Sequence, residues 1–209
     1  MLRIFLTLVA ILIALLINES LWHKKKIKNE LARKSIHITV AIFAAFWPYY
    51  LSYRKIDLIA IAFIVVVLLS RMFNLFESIK QVKRNTLGDY FFPIGILILA
   101  LIAPQKEIFA IAFLCVGIGD GMAALIGQKY GRKNSIRILG SSKSIAGSLT
   151  VFVSSFIILL LAYYFGSINL ESISLIIMPV FVTIIEALSP YGSDDLLIPI
   201  TVLVILRIL

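Results

Sequence analysis

The chain alternates long apolar runs with short polar connections. Eight runs can be marked, at about 2–17, 35–51, 56–69, 88–103, 108–126, 145–165, 173–188 and 196–209. Runs of this length and composition predict helices at membrane depth. The last is short for a span, so it is expected to be tilted, re-entrant or packed inside the bundle. The pattern predicts an all-α polytopic integral membrane protein, a bundle of about seven to eight transmembrane helices in a single domain over residues 1–209. No connection is long enough for a separate soluble domain, so the bundle itself must carry the function. Composition agrees: 61% of residues are hydrophobic and the mean hydropathy is +1.03, far above a soluble domain. The first run has only Arg3 before it and is followed by Asn18-Glu19-Ser20 rather than a small-residue cleavage site, so it reads as a retained helix rather than a signal peptide.

Charge changes the picture by orienting the bundle. The net charge is +9, and fifteen of the twenty Lys and Arg residues fall in the connections 18–34, 70–87 and 127–144. These are alternate loops, and basic loops stay cytoplasmic. The expectation is an N-terminus outside and the basic loops inside, facing anionic lipid head groups, together with an acidic fourth inner loop at 189–195. Nucleic-acid binding is not expected, because no soluble module is present. The short, Ile- and Lys-rich chain suggests a prokaryotic cell membrane. The single cysteine, Cys115, lies inside a span and reads as a packing residue. It allows no intramolecular disulfide and no thiolate zinc site.

Against this apolar background one aspartate stands out. Asp120 lies in the run IFAIAFLCVGIGDGMAALI, about 18 Å along the helix at ~1.5 Å per residue. A carboxylate at that depth costs about 2.5–3.5 kcal/mol on insertion scales, so it is usually kept for what it binds. Gly119 and Gly121 flank it and admit a backbone or ligand, and Gly117 and Gly121 also suit a helix-packing seam.

Four polar clusters gather toward the expected inner side. Glu30, Arg33, Lys34 and His37 have helical spacing and form one stripe running into the second span. Asn85 and Asp89 stand one turn apart at the start of the fourth, where they also suit a helix cap and a first-turn carboxylate. The stretch 127–148 combines Gly127, Gly131 and Gly147 with Arg132 and Lys143 and with Ser144 and Ser148. Backbone N–H groups and basic side chains of this kind suit a polyphosphate, although the Walker spacing is absent. Ser144 also suits an N-cap. Last come Glu186 in the seventh run and the pair Asp194 and Asp195. Hard oxygen ligands of this type suit Mg²⁺ with phosphate oxygens. Phe91, Phe92 and Phe113 are the expected apolar lining.

At these residues the chain resembles the membrane CTP-dependent lipid kinases: dolichol kinase, phytol kinase and the fungal-type diacylglycerol kinase, which are related to the phosphatidate cytidylyltransferases. The Glu-x-x-Arg-Lys-x-x-His stretch is matched by Glu30, Arg33, Lys34 and His37, and the Gly-Asp-(Gly/Ala)-x-Ala motif by Gly119, Asp120, Gly121 and Ala123. Gly127, Gly131 and Arg132 match the next motif; Lys143, Ser144, Gly147 and Ser148 the one after; Glu186, Asp194, Leu196 and Pro199 the last. Two positions depart from the pattern: Ala146 replaces a Glu, and Asp195 replaces an Asn. The resemblance implies transfer of the γ-phosphate of CTP to a membrane lipid alcohol: a polyprenol, a phytol-type isoprenoid alcohol or a diacylglycerol. It implies Mg²⁺ on Asp120, Glu186, Asp194 and Asp195. Arg33, Lys34, Lys143, Arg132 and the glycine backbones would hold phosphates. Asp120, His37 or Glu186 would serve in catalysis, with the choice of base open. Two other readings share the buried acids. A cytidylyltransferase would attack the α-phosphate, but those enzymes are generally longer. An ion-coupled transporter would leave 127–148 unexplained, and no internal repeat is evident.

Overall fold

The computed structural model describes residues 2–24, 29–73, 87–102, 104–131, 134–138, 141–166 and 168–209. It is mostly helical. The helices are α1 (Leu2–His23), α2 (Asn29–Ala45), α3 (Tyr53–Met72), α4 (Gly88–Ile102), α5 (Lys106–Leu114), α6 (Gly121–Tyr130), α7 (Ile145–Phe165), α8 (Ser174–Leu188) and α9 (Asp194–Ile208). Each apolar run thus forms a helix. Among the described residues, three helices are long and apolar enough to cross a membrane: Leu2–His23, Ile145–Phe165 and the continuous Lys106–Tyr130. The last is α5 and α6 joined through a π-helical segment, Cys115–Asp120. The others are shorter or carry more charge.

One element is not all-α. A two-stranded antiparallel hairpin pairs β1 (Ser135–Ile138) with β2 (Ser141–Ser144), setting Ser135 opposite Ser144 and Ile138 opposite Ser141. The expected Gly-rich loop is therefore mostly structured: α6 continues to Tyr130, and the alternation Ser-Ile-Arg-Ile has the period of a strand with a β-branched residue at every second place.

The Lys106–Tyr130 helix is the buried axis of the bundle. Phe109 and Phe113 are fully buried on it, and their rings meet at 4.8 Å. The aromatic contact continues from Phe113 to Phe92 and then to Phe63 of α3. Cys115 is buried in the same core, a packing position as expected. α9 packs against α4, α5 and α8 with Ile198, Val202 and Leu203 buried. Of the three fates open to the last run, it is the one packed within the bundle.

The outward surface is apolar as well. Leu149, Val153, Ile157 and Leu161 are exposed at four-residue spacing on α7, opposite the buried Val151, Ser155 and Leu159. Leu12 and Leu16 on α1 and Val65 and Leu69 on α3 are likewise exposed. A helix apolar on both faces, with one face uncovered, needs a hydrocarbon solvent.

The expected glycine seam is present. A Cβ at Gly117 would lie 2.7 Å from the Ala41 Cβ, and one at Gly121 would overlap the Ile38 side chain. The two glycines let α2 approach the middle of the axis. Neither clash is easily relieved: Ala41 has no side-chain torsion to turn, and the contact with Ile38 begins at Cγ1 of a β-branched residue whose rotamer is stiff in a helix. Gly117→Ala and Gly121→Ala are each expected to destabilise the protein by about 1–3 kcal/mol, as overpacking does. Thermal unfolding in detergent checks both.

Candidate active site

The site is built at one end of the bundle from elements far apart in the chain. α2 supplies Arg33, Lys34 and His37, and the π-helical segment supplies Asp120. Lys143 comes from the end of β2, Glu186 from α8, and Asp194 and Asp195 from the first turn of α9. Short π segments within α-helices often occur at functional sites, and this one ends on the buried aspartate.

The position of α9 is set by a turn. Tyr191 and Gly192 have φ of 53° and 86°, and the Leu87 N–H donates to the Tyr191 carbonyl at 2.8 Å. Gly192 has no room for a side chain: a Cβ there would lie 2.7 Å from the Gly88 nitrogen. Pro199, four residues after Asp195, has no N–H to bond the Asp195 carbonyl, which lies beside Gly95 of α4. Gly88 matters for the same reason, since a Cβ there would lie 2.7 Å from Asp195 Oδ2.

Two donor sets meet at Asp120. In one, ligand atoms of Asp120, Glu186 and Asp194 all lie within 4.8 Å of one another; in the other, those of His37, Asp120 and Asp195 do. Lys34 donates to Asp120 Oδ2. Lys143 donates to Glu186 and lies 3.5 Å from Asp194 Oδ2. His37 Nε2 lies 3.3 Å from Asp195 Oδ1 and 3.8 Å from Asp120 Oδ2. Lys34, Asp120, Glu186, Asp194 and Asp195 are each no more than 7% exposed, so their charges must be met inside the protein. The four carboxylates outnumber Lys34 and Lys143, and the second oxygen of Glu186 and the Oδ1 of Asp195 have no hydrogen-bond partner. Buried oxygens left in this state call for a proton or a cation. The Asp120, Glu186 and Asp194 set, made of carboxylate oxygens alone, suits a hard divalent cation.

His37 is oriented by its other nitrogen. The ring hydrogen-bonds the Val116 backbone while Nε2 makes no hydrogen bond. Nδ1 is thus assigned the proton and Nε2 offers a lone pair. The ring also meets Phe92 edge-on at 5.2 Å. Lys143 lies outside the helices. Burial would lower its pKa, but the nearby Asp194 and Glu186 carboxylates outweigh that and raise it above the ordinary lysine range.

Beside His37 and Asp195 opens a cavity of about 120 Å³. Arg33, Ile36, His37 and Val40 of α2 face it, as do Phe63, Val66, Val67 and Ser70 of α3. Leu15 of α1, Gly88, Asp89 and Phe92 of α4, and Asp195 complete it. Asp120, Glu186 and Lys143 do not line it. The two donor sets thus have different surroundings: one is bounded by Lys143 and the start of α7, the other by a cavity of mainly apolar side chains with Arg33, Ser70 and Asp89 among them.

The sequence-derived candidates divide accordingly. Arg33, Lys34, His37, Asp120, Lys143, Glu186, Asp194 and Asp195 converge. Ser144 caps α7 by accepting from the Gly147 N–H at 3.1 Å, as expected. The glycines are differently employed. The Gly131 N–H donates to the Gly127 carbonyl, and the Gly147 N–H is taken by Ser144. A Cβ at Gly127 would lie 2.8 Å from Ser144 Oγ, so this glycine brings α6 against the start of α7. Ser148 lies half-buried in the first turn of α7, and Asp89 lines the cavity rather than the carboxylate cluster. Of the expected apolar lining, Phe92 faces the cavity and Phe113 packs beneath it. Phe91 does not line it. Asn85, Arg132 and the side chain of Glu30 lie outside the described residues. The α3 stripe was not singled out from the sequence, where four more apolar or small residues in an apolar run carry no signal.

No family model matches the chain, and no solved structure matches it. Curated proteins do. The phytol kinase of Synechocystis is 32% identical over 146 residues, 65% of this chain and 60% of that one. An uncharacterised protein of Rickettsia prowazekii is 30% identical over 196 residues, 82% of this chain and 90% of its own length. The dolichol kinase of Saccharomyces cerevisiae is 34% identical over 88 residues, 40% of this chain and 16% of that enzyme. The chain thus spans less than two thirds of either named kinase, 60% of the one and 16% of the other. With the lipid-kinase motifs in order along a helical apolar bundle and these relatives beside them, the chain belongs to the membrane lipid kinase family that includes phytol kinase and dolichol kinase.

Proposed function

We propose that the protein transfers the γ-phosphate of CTP to the hydroxyl of a membrane lipid alcohol. The observation that carries this reading is the meeting of two buried donor sets at Asp120, one beside a lysine and a helix N-terminus, the other beside an apolar cavity. A phosphotransferase that takes one substrate from water and one from the bilayer needs both. CTP as donor rests on the family resemblance, as does the alcohol as acceptor. The basic loops would put this end at the cytoplasmic face.

Asp120, Glu186 and Asp194 would hold Mg²⁺, whose donor set and unpartnered Glu186 oxygen fit it. The ion would supply charge neutralisation and orientation of the phosphate oxygens. Lys143 is placed to hold the same phosphates, and the N-terminus of α7 adds a positive dipole end. On the other side, His37 Nε2 is the proton acceptor, with Asp195 facing the proton it gains. The Lys34 ammonium, donating to Asp120 Oδ2, would hold that shared carboxylate in place for both donor sets. The alcohol oxygen forms a bond to the γ-phosphorus and the bond from that phosphorus to the β-phosphate oxygen breaks. The hydroxyl proton passes to His37 and then to water, and CDP leaves.

Chromatography of the nucleotide products tests this. CDP is expected in an amount equal to the lipid phosphate formed, with turnover abolished by EDTA and restored by Mg²⁺. Pyrophosphate with a CMP-bearing lipid would instead overturn γ-transfer in favour of attack at the α-phosphate.

A further inference from the structure

Lys143 stands where a cation would. Its ammonium donates to Glu186 and lies 3.5 Å from Asp194 Oδ2. One side chain thus serves two of the three carboxylates in the Asp120, Glu186 and Asp194 set, and Lys34 serves the third. Three carboxylates against two ammonium groups leave one negative charge over. A free divalent ion entering with both lysines in place would turn the set net positive. Glu186 and Asp194 are no more than 7% exposed, and like charges a few ångströms apart repel strongly where water cannot screen them. A divalent ion and the Lys143 ammonium therefore compete for these two carboxylates, although Glu186 keeps a second oxygen without a hydrogen-bond partner.

The ammonium has somewhere to go. Lys143 is the third residue of β2, opposite Ile136 in the hairpin. The next residue, Ser144, caps α7 through the Gly147 N–H, so the Lys143 backbone is fixed where hairpin and helix join. Its flexible four-carbon stem lets the ammonium swing without moving that junction. The Lys143 side chain is 14% exposed, more than that of Glu186 or Asp194, so it lies at the mouth of the set. Phosphates arriving at the N-terminus of α7 would meet it there.

We propose that Lys143 is the resident cation of this set and bars a free divalent ion until nucleotide phosphates draw its ammonium away, so that the site takes the metal together with the nucleotide. The proposal rests on the Mg²⁺ reading of the set given above. A free ion must displace an ion-paired lysine. A nucleotide brings the oxygens that take the ammonium over. Metal and nucleotide then raise each other's affinity, by the same factor in either direction. Lys143 selects the metal–nucleotide pair over the metal alone.

The test uses purified protein in detergent and Mn²⁺, which suits the same carboxylate ligands as Mg²⁺. Unbound Mn²⁺ is followed by its electron paramagnetic resonance signal, with no turnover required. Lys143→Met keeps an unbranched stem and loses the charge. It is expected to bind free Mn²⁺ about tenfold or more tightly than the wild type, within the ordinary range of coupling between ligands. CTP should tighten Mn²⁺ binding by a larger factor in the wild type than in Lys143→Met; chelation of Mn²⁺ by CTP in solution is common to both and cancels. Lys143→Gln is a second neutral variant and should behave alike, so misfolding of one leaves the comparison intact. Lys129→Met removes an exposed charge that lies over Tyr130 and should leave Mn²⁺ affinity within about twofold, because exposed charges are screened. Equal affinity for free Mn²⁺ in the wild type and the neutral Lys143 variants, or an equal gain in Lys129→Met, overturns the proposal and leaves phosphotransfer standing. Mn²⁺ bound by none of these proteins, with or without CTP, overturns the metal reading and this proposal with it.

Discussion

Asp120→Asn is expected to lower kcat by about a thousandfold or more, equivalent to about 4 kcal/mol of transition-state stabilisation, while the protein still inserts and folds. Asparagine keeps the shape of aspartate and can still accept from Lys34, so the change removes charge and little else. That charge belongs to both donor sets at once, and phosphoryl transfer depends chiefly on positioning and charge neutralisation. The substitution also leaves Lys34 buried beside a neutral group. Breaking a buried ion pair from one side costs about 3–5 kcal/mol, so the melting temperature should fall. Loss of stability and loss of chemistry can be told apart with Lys34→Met/Asp120→Asn. The double variant removes both charges at similar volume and should melt closer to the wild type than Asp120→Asn does, yet remain inactive. If it regained activity with stability, Asp120 would be a structural residue.

Lys143→Ala is expected to raise the nucleotide KM by about ten- to a hundredfold, the scale of one hydrogen bond to a charged group, and to change the lipid KM by less than about twofold. The asymmetry follows from geometry, because Lys143 faces Glu186 and Asp194 and does not line the cavity. The pH dependence carries a sign. Asp194 and Glu186 raise the Lys143 pKa against the opposing effect of burial. A raised lysine stays protonated, so its ion pairs are complete below the ordinary lysine range and are lost only as pH rises through the raised value. The Mg²⁺-free protein should therefore show no loss of stability assignable to Lys143 below about pH 10 in thermal melts. A lipid KM that rose as far as the nucleotide KM would contradict the division of the site.

Much of the site could be read from residue types alone, because charge in an apolar run has few structural uses. Asp120, Glu186 and the Arg33, Lys34 and His37 stripe stood out for that reason, and they converge. Ser144 showed its cap through its place before an apolar run. What could not be read depends on pairing between distant elements. The contact of His37 with Asp195 requires the turn at Tyr191 and Gly192, whose left-handed backbone has no marker beyond the glycine. The π-helical segment that ends on Asp120 carries no marker beyond Gly117 and Gly119, which read equally as sites of close packing. The glycines of 127–147 read as phosphate-binding backbone, whereas two of their N–H groups are used within the chain and Gly127 serves close packing. The hairpin was hidden because four residues of alternation are too few to outweigh the surrounding glycines. The cavity wall on α3 is silent for a simpler reason: a residue that lines an apolar cavity and one that faces lipid are chemically alike.

The most direct test of phosphotransfer follows γ-labelled CTP with wild-type protein and Asp120→Asn in the same detergent, with Mg²⁺ and a panel of lipid alcohols. The expected result is label in the organic phase from the wild type, on a lipid alcohol of the panel, and none above background from Asp120→Asn. Label confined to the aqueous phase with the wild type, or equal transfer by the variant, would contradict a lipid kinase centred on Asp120.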